Sequence, residues 1–312
     1  MLRPWGPIRP SRTVAFRDGD TFKPLRPWVK PELMTGKICM VTGANSGIGK
    51  VTAEKLAELG ATVVLVCRNE DKGRKALTDI QRTSGNAALE LLVADFASFD
   101  SVKSLANDYL RGHDSLHVLV NNAGVAELRH STTVDGFETT FQVDYLSQFL
   151  LTNLLLGALK KGAPSRVVFV SSISHFSGQL DLSDLQMAKG YSVMRAYSRA
   201  KLAQVLFTYE LAKRIQGTGV TANCLHPGAV ATNIWGRPLG PLSFLAKFGR
   251  LFLMSSEKGA ETSVYLASSP EVQQVSGKYY DQKRERRSSA ASYDQVLAQR
   301  LWDTSAKLVG LA

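Results

Sequence analysis

Within AYSRAKLAQ, residues 196–204, a weak acid and a cation stand at helical spacing: Tyr197 precedes Lys201 by four positions. Residues i and i+4 share one face of a helix with Cβ atoms about 5–6 Å apart, so phenol and ammonium can serve one site. A free phenol titrates near ~10, too high for ready proton exchange at neutral pH. An ammonium ~4 Å away, at an effective dielectric of ~20, favours the phenolate by up to about 4 kcal/mol, about three pKa units. The spacing therefore predicts a proton-transfer pair or a solvated helix face, and does not choose between them. Upstream, Ser172 ends the run SRVVFVSS, where a hydroxyl either satisfies the backbone or bonds a reacting oxygen.

Bringing Ser172 and Tyr197 together requires elements that end on a common edge. From Lys37, short β-branched runs alternate with helical stretches: KICMVTG, IGKVTAEKLAELG, ATVVLVCRN and DKGRKALTDIQRTSG. The alternation continues through LELLVADF, a helix near 101–110, HVLVNNAG, a long helix from about 137 to 159, SRVVFVSS, the helix around Tyr197, and GVTANCLHPG. Strands apolar throughout are buried on both faces, which predicts an α/β fold with a doubly wound parallel sheet, Rossmann-type, in a single domain. Right-handed crossovers put the carboxyl ends of such strands along one ligand-binding edge. Each predicted strand ends there in a polar or glycine-containing turn: TGANSG, CRN, ADF, NNAG, VSS and HPG.

Six of the eleven prolines lie within the first 31 residues, which excludes long helices and central strands there. Residues 1–35 read as a proline-rich basic N-terminal arm and 36–312 as the domain. Hydrophobic residues make up 44% and charged residues 21%, an ordinary soluble composition. No apolar run approaches the roughly 20 residues that span a bilayer, and Arg and Pro interrupt any secretory core at the N-terminus. Cys39, Cys67 and Cys224 each sit in or beside an apolar run, as small buried hydrophobes do. These features predict an intracellular protein, cytoplasmic or peripherally membrane-associated. The net charge of +11 comes partly from the arm and partly from GKYYDQKRERR. With no nucleic-acid-binding signature, it points to a solvated or membrane-facing surface rather than nucleic acid. The histidines show no metal-ligand spacing, so no metal is predicted.

TGANSGIG follows a strand and opens a helix, the context of a phosphate-binding loop. Gly43 permits the turn, Gly47 admits a diphosphate close to the backbone, and Gly49 lets helix pack on strand. Asn45, Ser46 and Ile48 complete that loop. At the end of the second strand a carboxylate would accept from a ribose 2′-hydroxyl, whereas a guanidinium can hold a 2′-phosphate bidentately. VLVCRN supplies Arg68 with no acid before Glu70, and Asn45, Ser46 and Lys50 add donors. NADP(H) is the predicted cofactor, the alternative being that Arg68 only covers the sheet surface.

In family order, TGANSGIG, NNAG, VSS, YSRAK and HPG resemble the strand-end motifs of short-chain dehydrogenases/reductases across about residues 37–232. SGKYYDQKRERR and QRLWDTSAKL further resemble the retinol dehydrogenase-like branch, which acts on retinoids and other lipophilic carbonyls. The resemblance implies that Tyr197 is the general acid/base, that Lys201 tunes it and holds the nicotinamide ribose, and that Ser172 bonds the substrate oxygen. It further implies cofactor contacts from Asp95, Asn121, Asn122, Ala123, Gly124, Pro227, Gly228 and Thr232. His175 lies near the expected substrate mouth, where no second base is needed.

One position departs from the family pattern. Where the long middle helix often carries an asparagine that positions a water, FQVDYLSQF has Asp144. An ionised carboxylate only accepts hydrogen bonds and can pair with Lys201, weakening its pull on the phenol. Asp144 is counted among the catalytic candidates as an organiser of the relay. After Thr232, Phe244, Leu245, Phe248, Leu251 and Phe252 recur at helical spacing, interrupted by Lys247 and Arg250. This predicts a substrate lid near 233–256, with core or oligomer packing and a basic amphipathic membrane contact as alternatives. The resulting expectation is an NADP(H)-dependent oxidoreductase interconverting a lipophilic, retinal-like aldehyde or ketone and its alcohol. A steroid, fatty-aldehyde or xenobiotic carbonyl reductase, or a weakly catalytic nucleotide-binding regulatory protein, are the alternatives, and a homo-oligomer is left open.

Overall fold

A computed structural model describes residues 33–228 and 255–311; most of the arm, Thr232 and most of the expected lid lie outside the described residues. The first half runs β1 (Ile38–Thr42), α1 (Gly47–Glu58), β2 (Thr62–Cys67), α2 (Glu70–Ser84), β3 (Leu89–Val93), α3 (Phe99–Gly112) and β4 (Val118–Asn121). Then follow α4 (Thr139–Phe141), a π-helical turn (Gln142–Leu146), α5 (Ser147–Leu154), α6 (Leu156–Lys161) and β5 (Ser165–Val170). A 3₁₀ turn (Ile173–Ser177), α7 (Val193–Arg214) and β6 (Val220–His226) precede α8 (Ser256–Ser268), β7 (Lys278–Asp281), β8 (Arg284–Arg286) and α9 (Gln295–Leu308).

One eight-stranded sheet has the order β3-β2-β1-β4-β5-β6-β7-β8, parallel except that β8 runs antiparallel to β7. The order reverses between β1 and β4, the topological switch point where open α/β sheets bind ligands. Successive strand side chains point to opposite faces, and the core divides in two accordingly. Met40, Val64, Leu119, Val167 and Phe169 pack with α3, α5, α7 and α9, whereas Cys39, Val41, Val63, Val120 and Val168 pack with α1, α2 and α8. The doubly wound reading therefore holds for the central strands. β3, at the sheet edge, has no fully buried residue, because it has a neighbour on one side only.

Two other differences from the sequence reading have local causes. The expected helix over 137–159 contains a π-turn, in which the Ser147 N–H reaches back to Gln142 O, and its helical run is interrupted at Leu155. Such turns insert one residue into a helix and cluster at functional sites. The basic run after Gly277 is a hairpin, β7–β8. Its central residues Gln282 and Lys283 have φ of 50° and 62°, a left-handed pair usually announced by Asn-Gly.

α9 lies across the α5–α7 face through aromatic contacts. Phe207, 2% exposed, has ring centroids of Phe149, Phe169 and Trp302 at 4.9, 5.2 and 5.4 Å. Phe207→Ala is expected to lower stability by about 3–5 kcal/mol. Chemical denaturation checks this; a loss below about 1 kcal/mol would mean that the cluster does not anchor α7.

Candidate active site

The glycine loop closes the edge on the β1 side. Gly43 and Gly47 have φ of 68° and 56°, the left-handed region that glycine tolerates. A Cβ on Gly49 would lie 2.4 Å from both Asn122 Nδ2 and Gly43 O, so no side chain fits there. Thr42 Oγ1 accepts the N–H groups of Asn122 (2.9 Å) and Ala123 (3.0 Å), pinning the NNAG turn beside the loop. Asn122 Nδ2 donates to Thr42 O at 2.8 Å. Asn121 is instead buried, its amide donating to Thr152 Oγ1 at 3.1 Å, so it braces β4 against α5. Ser46 begins α1 without a side-chain cap, beside half-buried Asn45 and buried Ile48. This bare backbone at a helix N-terminus fits a dinucleotide diphosphate.

At the end of β2, Arg68 is exposed and forms no ion pair among the described residues. Lys50, expected as a further donor, has its ammonium 2.7 Å from Asp79 Oδ2 and is already neutralised. Asp95 holds a turn: its Oδ1 accepts the Ala97 N–H at 2.9 Å, while Ser98 caps α3. Pro227 and Gly228 follow β6, with Gly228 at φ 87°.

Across the switch point, α7 carries Tyr197 and Lys201 on one face. Lys201 Nζ lies 5.2 Å from the Tyr197 ring centroid, donates to Val170 O at 3.1 Å, and stands 3.3 Å from Asp144 Oδ2. The ion pair is buried, with side chains 3% and 0% exposed. Asp144 Oδ1 accepts the Val125 N–H at 2.7 Å, while Oδ2 faces the ammonium off the hydrogen-bond direction. Gly124 lies against this carboxylate, and a Cβ there would come 3.2 Å from Oδ2. The turn that borders the glycine loop thus also packs on the charge pair.

Electrostatics follow from burial. Burial pushes the Asp144 carboxyl up to about 6 against the pull of Lys201 and the Val125 N–H. Burial opposes the Lys201 charge, but Asp144 and Tyr197 outweigh it and hold the ammonium above the ordinary lysine value. For Tyr197, burial raises the pKa first; Lys201 lowers it and Asp144 raises it again, with a net upward shift. Lys201 does pull the phenol pKa down as expected, but burial, with the neighbouring carboxylate, outweighs that pull. A phenol held above its ordinary value stays protonated at neutral pH but is the weaker acid for it, so proton donation relies on the Lys201 ammonium stabilising the tyrosinate that forms.

The family model "short chain dehydrogenase" matches residues 37–238. The chain belongs to the short-chain dehydrogenase family. Retinol dehydrogenase 13 of Mus musculus is 45% identical over 284 residues, covering 89% of this chain and 85% of that protein. Retinol dehydrogenase 14 of Homo sapiens is 42% identical over 309 residues, covering 94% and 92%. A solved uncharacterised protein from Mycobacterium paratuberculosis aligns with TM-score 0.74 at 32% identity, covering 91% of this chain and 97% of that one. The RhlG/NADP active-site complex of Pseudomonas aeruginosa aligns with TM-score 0.64 at 26% identity, covering 80% and 96%. As a short-chain dehydrogenase, this chain is an oxidoreductase acting on CH–OH donors, interconverting alcohol and carbonyl with a nicotinamide cofactor. Among the described residues, no helix is long and apolar enough to cross a membrane.

The short-chain dehydrogenase site also has a polar backing that single motifs do not show. Gln204 Nε2 donates to Asp144 O and to Gln148 Oε1, both at 2.7 Å, and Gln148 Nε2 donates to Ala123 O at 2.6 Å. Its sequence signal is a row of polar residues at i, i+3 or i+4 inside apolar helices: Lys201, Gln204 and Thr208 opposite Asp144 and Gln148. Beside Tyr197, Arg199 forms a buried ion pair with Glu138 at 3.1 Å and donates to Asp184 O at 3.0 Å. The ion pair ties α7 to the start of α4, and the Asp184 bond ties it to the loop ahead of α7.

Proposed function

We propose that this chain is a carbonyl reductase that uses NADPH to convert a lipophilic aldehyde or ketone of the retinal class to its alcohol. The observation that carries the reading is Tyr197 on one helix face with Lys201, the ammonium 5.2 Å from its ring centroid, in a chain 45% identical to a retinol dehydrogenase. When bound, the nicotinamide supplies the hydride to the carbonyl carbon. Tyr197 Oη donates its proton to the substrate oxygen as charge develops there, and the Ser172 hydroxyl hydrogen-bonds the same oxygen. Lys201 remains charged beside the phenol and stabilises the tyrosinate left behind. Asp144 holds that ammonium in place from the far side. Gly43, Gly47 and Gly49 would receive the diphosphate, and Arg68 the 2′-phosphate. The basic amphipathic pattern of 233–256 suits a lid that meets its substrate at a membrane surface.

The reading is tested by initial rates with NADPH and NADH over carbonyls from small aldehydes to retinal. NADPH-dependent turnover that rises toward the large apolar substrates is expected; activity confined to steroids or small xenobiotics would reassign the substrate. Arg68→Asp is expected to raise the KM for NADPH about tenfold or more, the worth of a charged hydrogen bond, and to leave NADH use unimpaired. An unchanged KM for NADPH would show that Arg68 only covers the sheet.

A further inference from the structure

Ser172 leaves β5 in an extended conformation, φ −156°, and starts the 3₁₀ turn as its N-cap. Its Oγ accepts the Ser174 N–H at 3.2 Å. A serine hydroxyl has one proton and two acceptor lone pairs, so this bond leaves the O–H free to donate. Where the Ser172 side chain projects from depends on how its backbone is held, and the peptide unit joining Ser172 to Ile173 forms one side of that backbone.

Both ends of that peptide unit are held by imidazoles. Its carbonyl oxygen lies 2.7 Å from His175 Nδ1, and its N–H donates to His226 Nδ1 at 3.2 Å. His175 is fully buried, and its other nitrogen, Nε2, accepts the Ser289 N–H at 3.1 Å. A backbone N–H only donates and a carbonyl only accepts, so the ring proton of His175 sits on Nδ1 and the ring is neutral. Phe176 and Tyr279 pack on the ring, with centroids 4.3 and 4.7 Å away, and fix its plane. Burial lowers the pKa of both histidines, in keeping with their neutral roles. The contact at Ser289 continues into the C-terminal segment and back to the catalytic helix, because the neighbouring Ser288 Oγ bonds Tyr209 Oη of α7 at 2.6 Å.

We propose that His175 and His226 are positioning residues that clamp the Ser172–Ile173 peptide and so aim the Ser172 hydroxyl at the substrate oxygen, with His175 anchored in turn by Ser289. This inference rests on the reading of Ser172 as the donor to that oxygen. Neither imidazole exchanges a proton with substrate. A loop serine at a strand end would sample several directions; two imidazoles and one main-chain anchor select one.

The test is steady-state reduction of retinal by NADPH in His175→Phe, His175→Asn, His226→Ala and Ser172→Ala, with thermal midpoints measured alongside. His175→Phe removes both ring hydrogen bonds and is expected to lower kcat about 10- to 100-fold while KM for NADPH stays within about twofold. In His175→Asn the amide donates from near the Nδ1 position, and most of kcat is expected to return. His226→Ala removes the acceptor of the Ile173 N–H, the other arm of the clamp, and leaves the His175–Ser289 contact in place. It is expected to lower kcat about three- to tenfold, and it decides the matter should His175→Phe fail to fold. Undiminished kcat in a folded His175→Phe, or in His226→Ala, overturns the clamp. If Ser172→Ala is inactive in that case, the reading of Ser172 survives without the clamp; full activity of Ser172→Ala removes that reading instead.

Discussion

Tyr197→Phe is expected to lower kcat for carbonyl reduction by about 10²- to 10⁴-fold, the usual worth of a positioned general acid. The variant keeps the ring and loses one oxygen. That oxygen is the proton donor in the proposed reaction, and no other described acid is placed to replace it: His175 has both nitrogens committed to backbone groups and His226 commits Nδ1. Because the pKa of the phenol is raised, the wild-type enzyme carries the donor protonated through neutral pH. Binding of NADPH, followed by fluorescence titration, is expected to change less than about threefold, since the ring still packs beside Lys201. Retention of more than a tenth of wild-type kcat would show that Tyr197 is not the acid.

The buried pair of Lys201 and Asp144 carries the second large effect. Lys201→Met leaves the Asp144 carboxylate, 0% exposed, without its cation, at an expected cost of about 3–5 kcal/mol in stability. Adding Asp144→Asn removes the stranded charge and is expected to restore most of that stability while turnover stays lost. Asp144→Asn alone acts on pH dependence. Reduction needs the protonated phenol, so its rate holds below the phenol pKa and falls above it. The Asp144 carboxylate raises that pKa, and its removal moves the fall to lower pH. Alcohol oxidation, which needs the phenolate, is expected to begin at correspondingly lower pH. A pH–rate profile for Asp144→Asn that superimposes on wild type would remove the carboxylate from the relay.

The layered α/β architecture was legible because the central strands are apolar without alternation and each closes in a polar turn. The glycine loop was legible for the same reason that a Cβ at Gly49 cannot fit: the backbone approach is written in the residue type. Departures arose where information is not local. The β7–β8 hairpin turns on Gln282 and Lys283, residues with no preference for left-handed φ, so its sequence reads only as a charge run. The π-turn at Gln142–Leu146 leaves no mark in the apolar period of its helix. The sign of the Tyr197 shift depended on burial, which helical spacing does not contain. His175 and His226 were visible as residues but not as a pair, because the peptide they hold lies between segments far apart in the chain.

The central claim is that Tyr197 passes a proton to a lipophilic carbonyl as hydride arrives from NADPH. It is tested most directly by single-turnover reduction of retinal with NADPH carrying deuterium at C4, in wild type and in Tyr197→Phe. In wild type, deuterium is expected on the carbinol carbon of the product, at a rate at least about a hundredfold above that of Tyr197→Phe. Product without the label, or label transferred equally fast by Tyr197→Phe, would contradict it.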